Sequence, residues 1–389
     1  MRLEPVDTAD ARAVLRALRG AVLGAGPAVA LGGTAVPAPR DVPAGTAVVV
    51  TTSGSTGYPK SVVLSRSALT SGALATAERL GSGSWLLALP PSYVAGVQVL
   101  VRALVAGREP AILSGPFHPG AFAAAAAGMA SSEGGTRVPT FTSLVPAQLQ
   151  TLLDAGDADP RIHAALASFE GVLVGGQALP AALADRAAAA GARIVRTYGS
   201  TETSGGCVYD GVPLGGVGVR IAAGEVQLSG PTLADGYLDD PARTDAAFLR
   251  DADGTRWYRT GDAGTFDGGM LRVTGRLDNV IVSGGINVSL DRVERIVRSV
   301  PGLASAVVVP VADERWGQAS VVVARRGTDR AAGGEADRLL EAVRTAVADG
   351  LGAPARPRAV VLVDEIPHLP SGKPDRAALR ALAVQAAAG

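Results

Sequence analysis

Short apolar runs alternating with segments of helical spacing dominate the first half of the chain. Residues 46–52, TAVVVTT, form a β-branched run that ends in the glycine-rich stretch SGSTGYPK, and the spacing predicts a helix over 65–80. The same order recurs without sequence repetition: WLLALP (85–90) precedes VAGVQVLVRALVAG, RVPTFTSL precedes VPAQLQTLLDAG, and GVLVGG precedes LPAALADRAAAAG. Strand, loop and helix in alternation predict a layered α/β domain, because each helix must bury its apolar stripe against a sheet. From Gly211 to Val273 the texture changes to short runs such as EVQLSG and MLRVTG between Gly, Asp and Pro, the pattern of antiparallel hairpins. Beyond GRLDN come VIVSGG, a predicted helix over 289–300, AVVVPV, SVVVAR, a second helix over 335–349 and AVVLVDEI. The expected division is a large layered α/β domain with a β-hairpin-rich subdomain over residues 1–277, and a small α+β domain over 278–389. No Pro/Ser tract marks the junction near Asp278, so movement there would turn on a few residues.

Composition narrows the function. The 36 Lys+Arg balance 36 Asp+Glu, and this zero net charge argues against nucleic-acid binding through bulk charge. The uncharged stretch 20–39 is mostly Ala and Gly and is broken by Pro27 and Pro37, so it is too weakly apolar to span a bilayer; no membrane association is expected. MRLEPVDTAD puts acidic residues where a signal peptide would place basic ones, so no signal peptide is expected. A single cysteine, Cys207, precludes an intrachain disulfide and fits a reducing compartment, so a cytoplasmic location is expected. Oligomeric state is not legible in the sequence, and a homodimer stays open.

The chemistry lies in loops. Thr51 to Lys60, TTSGSTGYPK, sets Thr52, Ser53, Gly54, Ser55, Thr56 and Gly57 ahead of a lysine, offering N–H groups, hydroxyls and a cation to phosphate oxygens. The spacing nearly matches a Walker loop, but Pro59 stands at its second glycine and has no N–H to donate, so another nucleotide-binding architecture is required. TYGSTET (197–203) offers Tyr198 to a base, Thr201 to a phosphate and Glu202 to a divalent cation. YRTGD (258–262) offers Asp262 to a ribose diol, followed by Arg276 and Asp278 in GRLDN. PHLPSGKPDRAAL places Lys373 in a proline-stiffened loop, with Asp375 set to cap the closing helix. Lys60 and Lys373 are the chain's only two lysines, both in Gly/Pro loops of an arginine-biased sequence. His118, His163 and His368 show no metal-ligand spacing, and Cys207 reads as a packed side chain rather than a nucleophile.

Taken in order, TTSGSTGYPK, TYGSTET, YRTGD, GRLDN with SGGINV, and PSGK resemble the motif series of the adenylate-forming superfamily over residues 51–373. The resemblance implies a mobile small domain hinged at Asp278, with ATP, Mg2+ and a carboxylic acid bound between the domains. It implies that Thr52 to Gly57 and Lys60 hold phosphates, that Gly175, Gly176, Tyr198 and Gly199 frame adenine, and that Thr201 meets the α-phosphate. Glu202 would hold the metal, Asp262 and Arg276 the ribose, and Lys373 would be the catalytic cation that later yields its place to coenzyme A. LPPSYVAGVQVLVRAL, TSLVPAQL, VLVGGQALP and YGSTETSGGCVYDG are most similar to o-succinylbenzoate:CoA ligases, although Ser92 stands where that group often carries His. Tyr93, Ser143 and Ser204 would then line the acyl site, and Arg102, Arg196 and Arg220 all lie near it. Three rivals share the signal: a ligase for another aryl or acyl acid, a freestanding adenylation domain loading a carrier protein, and a non-catalytic nucleotide sensor.

Overall fold

The computed structural model describes residues 1–32, 39–52, 59–113, 115–129, 131–314, 316–327, 334–369 and 371–388. Among them the strands form a large N-terminal domain of three principal sheets and a small C-terminal domain of one. The mixed α/β class read from the sequence is the one observed.

The first sheet has the order Gly236–Tyr237, Lys60–Ser65, Thr46–Thr52, Ala28–Leu31, Arg2–Pro5, Arg40–Asp41. The run TAVVVTT is a strand over its full length, and all but its last residue is buried. Ser65 does not enter the following helix, Arg66–Leu80: its hydroxyl accepts from the Ala68 N–H and caps the helix instead. The second sheet sets Ser84–Leu87, Thr140–Leu144, Gly171–Val174 and Ile194–Ser200 side by side in parallel, with Gly205–Tyr209 added antiparallel. Helices Val94–Val105, Pro146–Gly156 and Ala181–Ala189 make the crossovers. The strand expected over 85–90 ends at Leu87: Thr140–Leu144 pairs with it as far as Leu86 and Ala111–Ile112 as far as Leu87.

The hairpin-rich texture is realised as an antiparallel sheet built on the long strand Arg256–Asp267, which pairs with Glu225–Ser229, Phe248–Arg250 and Met270–Arg276. In the small domain, Val307–Asp313 and Gly317–Arg325 pair antiparallel and Ala359–Val363 adds parallel. Their side chains alternate: Val307, Val309, Val321 and Val323 pack with Leu379 and Ala383, whereas Val308 and Val322 pack with Val293, Val343 and Val347. Covered on both faces, this sheet needs the continuous valine runs the sequence shows. Its helices, Leu290–Val297 and Glu335–Leu351, start and stop within three residues of their expected bounds; Ser289 takes the N-cap position and Gly352, at φ 87°, stops the second. Among the described residues no helix is long and apolar enough to cross a membrane.

Cys207 is fully buried on Gly205–Tyr209 beside Val208 and Val226, and burial pushes its thiol up to about 12. A thiol reagent at pH 8 is therefore expected to leave the native protein unlabelled and to modify one cysteine after unfolding; rapid native labelling would contradict this packing.

Candidate functional site

The parallel strands of the second sheet end on one side in a cleft. Thr140–Leu144 delivers Val145, Gly171–Val174 delivers Gly175 and Gly176, and Ile194–Ser200 delivers the 3-10 turn Thr201–Thr203. The carboxyl ends of parallel strands are where such sheets leave room for a ligand. Two glycines show how tightly the cleft is built. A Cβ on Gly175 would lie 2.3 Å from Thr197 Oγ1, and Gly176, at φ 82°, faces Lys373, whose Cε would stand 3.8 Å from its Cβ.

Glu202 lies at the centre, 2% exposed. Its carboxylate is ion-paired with Lys60, which opens the strand Lys60–Ser65, and its Oε1 accepts a 2.9 Å hydrogen bond from the Tyr237 hydroxyl. The Lys60 ammonium also stands 5.3 Å from the Tyr237 ring centroid. Burial is the largest influence on the Glu202 carboxyl and works to raise it, but the Lys60 charge and the hydrogen bonds from Lys60 and Tyr237 leave it below its ordinary value. Burial pushes the Tyr237 phenol up, and the Glu202 charge adds to the effect.

Asp262 forms the second pole. Tyr198 donates to its Oδ2 at 2.7 Å and Arg276 Nη1 to its Oδ1 at 3.3 Å. The Tyr198 hydroxyl thus links the expected base site to the expected ribose site, a connection that spacing does not show. Burial raises the Asp262 carboxyl, with Tyr198 and Arg276 opposing. Arg276 also forks onto Asp278 at 3.0 and 2.9 Å, and this pair holds the Asp278 carboxyl low.

Lys373 enters from the small domain. Gly372 packs so closely on Val145 that a Cβ would fall 2.8 Å from Cγ2, and Gln177 Nε2 donates a long 3.5 Å bond to the Gly372 carbonyl. Solvent reaches Lys373 along the cleft, yet enough protein surrounds it that burial, the main cause, lowers its pKa. Glu202 and Asp262 pull the other way, while the charges of Lys60 and Arg276 add to the lowering. Lys373 therefore senses the charge of Lys60, 313 positions earlier in the sequence, together with both carboxylates.

Of the remaining expected residues, Ser53, Gly54, Ser55, Thr56 and Gly57 lie outside the described residues. Thr52 is described, and its buried hydroxyl, like those of Ser200 and Ser204, lacks a partner among the described residues. Ser204 is held at φ 54°, a left-handed conformation unusual for serine. Ser143 is buried on its strand and Tyr93 half-buried ahead of helix Val94–Val105, its phenol raised by burial. Thr201 and Gly199 flank Ser200 beside Glu202.

The three arginines separate clearly. Arg196 pairs with Asp210 at 3.0 Å, and Arg220 pairs with Asp251 at 3.2 Å and stacks on Trp257. Arg102 is only 7% exposed and has no carboxylate partner among the described residues; Nη2 donates to the Tyr209 hydroxyl at 3.0 Å, and Nε is buried unpaired. Its guanidinium lies 5.0 Å from the Trp85 ring centroid. One turn earlier on the same helix, Gln98 abuts Gly205, and its Oε1 is likewise buried and unpaired. Tyr237 was invisible to motif reasoning because it reaches Glu202 from an edge strand of the other sheet; the only local signal was a Gly-Tyr dipeptide in a turn-rich segment.

Among the described residues no group of three or more His, Cys, Asp or Glu converges as a metal cage. A lone buried carboxylate such as Glu202 suits an ion that keeps water and phosphate oxygens as its other ligands, the habit of Mg2+.

The AMP-binding enzyme family model matches residues 6–238, and that of the AMP-binding enzyme C-terminal domain matches 292–373. A probable 2-succinylbenzoate--CoA ligase of Mycobacterium tuberculosis is 43% identical over 340 residues, covering 86% of this chain and 83% of that protein. Among solved structures, an Escherichia coli MenE variant with bound OSB-AMS superposes with TM-score 0.69 at 26% identity, over 92% of this chain and 76% of that one. ATP-bound MatB from Rhodopseudomonas palustris, at 23% identity, shares the fold with TM-score 0.73 over 90% of this chain and 71% of its own. With more than half of its residues matched and a relative this similar along most of its length, the chain belongs to the AMP-binding enzyme family.

Proposed function

We propose that the protein is an ATP-dependent 2-succinylbenzoate:CoA ligase, and the observation that carries this is the delivery of Lys60 and Lys373 from separate domains to one cleft holding Glu202 and Asp262. A carboxylate is a poor acyl donor because its leaving group would be an oxide. Attack of the carboxylate oxygen on the α-phosphorus of ATP expels pyrophosphate and gives an acyl-adenylate; the coenzyme A thiol then attacks the acyl carbon and AMP leaves. The first step gathers negative charge on phosphate oxygens, and fixed cations in a shielded cleft stabilise that charge without reorganising. Lys60 and the Thr52 hydroxyl face the phosphates, Thr201 the α-phosphate, and Asp262 with Arg276 the ribose. Gly175, Gly176, Gly199 and Tyr198 border adenine. Glu202 would hold Mg2+, which supplies charge neutralisation to the phosphates when bound. Lys373 serves the first step, and rotation of residues 278–389 about Asp278 withdraws it for the second.

Arg102 suits the second carboxylate of a dicarboxylic aryl acid. A buried guanidinium without an anion is unfavourable, and a ligand carboxylate satisfies it. Tyr93, Ser143 and Ser204 complete the acyl site, and the relative 43% identical to this chain is itself named a probable 2-succinylbenzoate--CoA ligase.

Incubation with ATP, 2-succinylbenzoate and coenzyme A is expected to release AMP and the acyl-CoA; turnover confined to another acid, or to a carrier protein as acceptor, would overturn the assignment. Lys373→Ala is expected to slow acyl-adenylate formation by about 10²–10³-fold, roughly 3–4 kcal/mol. It should spare thioester formation from preformed acyl-adenylate, and equal losses in both half-reactions would refute the division of labour. Arg102→Met should lower kcat/KM for 2-succinylbenzoate by about 10²-fold. It should leave a monocarboxylic benzoate nearly unaffected, and a uniform loss on both acids would remove Arg102 from the acyl site.

A further inference from the structure

We infer that Arg376, locked to the buried Glu294, is a positioning residue that sets where Lys373 stands in the cleft; the inference rests on the adenylation reading above. Among the described residues no hydrogen bond holds the Lys373 ammonium, so its place is fixed by the loop that carries it. That loop is stiff. Leu369 N–H donates to the Lys373 carbonyl at 2.7 Å, Gly372 N–H to the Leu369 carbonyl at 2.8 Å, and Asp375 N–H to the Pro367 carbonyl at 2.8 Å. Pro374 fixes its own φ, and the Asp375 carboxylate caps the next helix by accepting from Ala377 and Ala378 N–H at 3.1 and 3.0 Å. A stiff loop transmits displacement at its root instead of absorbing it.

The root is Arg376, the first residue of helix Arg376–Ala388. Its Nη2 donates to Glu294 Oε2 at 2.8 Å and its Nη1 to the Val308 carbonyl at 2.9 Å. Glu294 is 7% exposed; Oε2 also accepts from Val308 N–H at 3.0 Å, and Oε1 pairs with Arg298 at 2.8 Å. Arg298 in turn donates to the Ala306 carbonyl at 2.8 Å. One carboxylate thereby ties helix Leu290–Val297, strand Val307–Asp313 and the closing helix together three residues from Lys373. Such a buried network costs desolvation that apolar packing would avoid. What it adds is a directional joint, with one Arg376 nitrogen on the Glu294 carboxylate and the other on the Val308 carbonyl, that apolar contacts cannot supply.

The test compares Arg376→Ala and Arg376→Lys with the unmodified protein. Arg376 is partly exposed, so the alanine variant retains the rest of the core. At saturating ATP and acid, Arg376→Ala is expected to cut the rate of acyl-adenylate formation about tenfold with KM for ATP unchanged. Thioester formation from preformed acyl-adenylate should stay within about twofold, and Arg376→Lys should restore most of the first step. A second readout needs no turnover: hydrogen exchange at the Leu369, Gly372 and Asp375 amides should quicken about tenfold in Arg376→Ala while the large domain is unchanged. Equal loss in both half-reactions, an unaffected first step, or unchanged loop exchange would each overturn the inference. Absence of acid-dependent pyrophosphate release in the unmodified protein would defeat the adenylation reading instead, and loop exchange would still decide whether Arg376 anchors the loop.

Discussion

Two ammonium groups that face one cleft repel each other, and the cleft tolerates them because the carboxylates of Glu202 and Asp262 share it. Glu202 takes the charge of Lys60 directly, and Asp262 is braced by Tyr198 and Arg276. Lys373 feels all of these at once, so that burial and two cations lower its pKa against the pull of two anions. On the adenylation reading proposed above, a triphosphate entering the cleft would bring negative charge to both lysines.

The scaffold earns this arrangement through topology. Three parallel strands end at the cleft, a second sheet contributes Lys60 and Tyr237 from neighbouring strands, and the antiparallel sheet contributes Asp262 opposite Arg276 in register. Strands carry Lys60, Tyr198, Tyr237, Asp262 and Arg276, whereas Glu202 and Lys373 sit on turns. The small domain adds one residue, Lys373, at the tip of a braced loop.

The junction between the domains is itself wired into the site. Arg276, which reaches Asp262, also forks onto Asp278, and its backbone N–H donates to Asp291 at 2.6 Å. Asp291 accepts from Asn279 at 2.7 Å as well. A change in the φ or ψ of Asp278 would therefore have to break or re-form contacts that share Arg276 with Asp262.

Much of this was legible in the sequence, and the reasons differ by element. The valine runs and the helix after Ser65 follow from local periodicity and capping, which act over a few residues and leave their mark in the order of side chains. The candidate residues were likewise visible as loop motifs, because a lysine or acid between glycines has no packing reason to be there. Tyr237 as a partner of Glu202, the bond from Tyr198 to Asp262, the solitary burial of Arg102 and the anchoring of Arg376 were not visible. Each is a contact between elements distant in the chain, the partners lying 35, 64, 107 and 82 positions apart in turn. The sequence by itself determined which chemical groups are present and which local elements carry them. Tertiary structure alone decided which groups meet, because burial and charge pairing depend on distances that chain order does not encode.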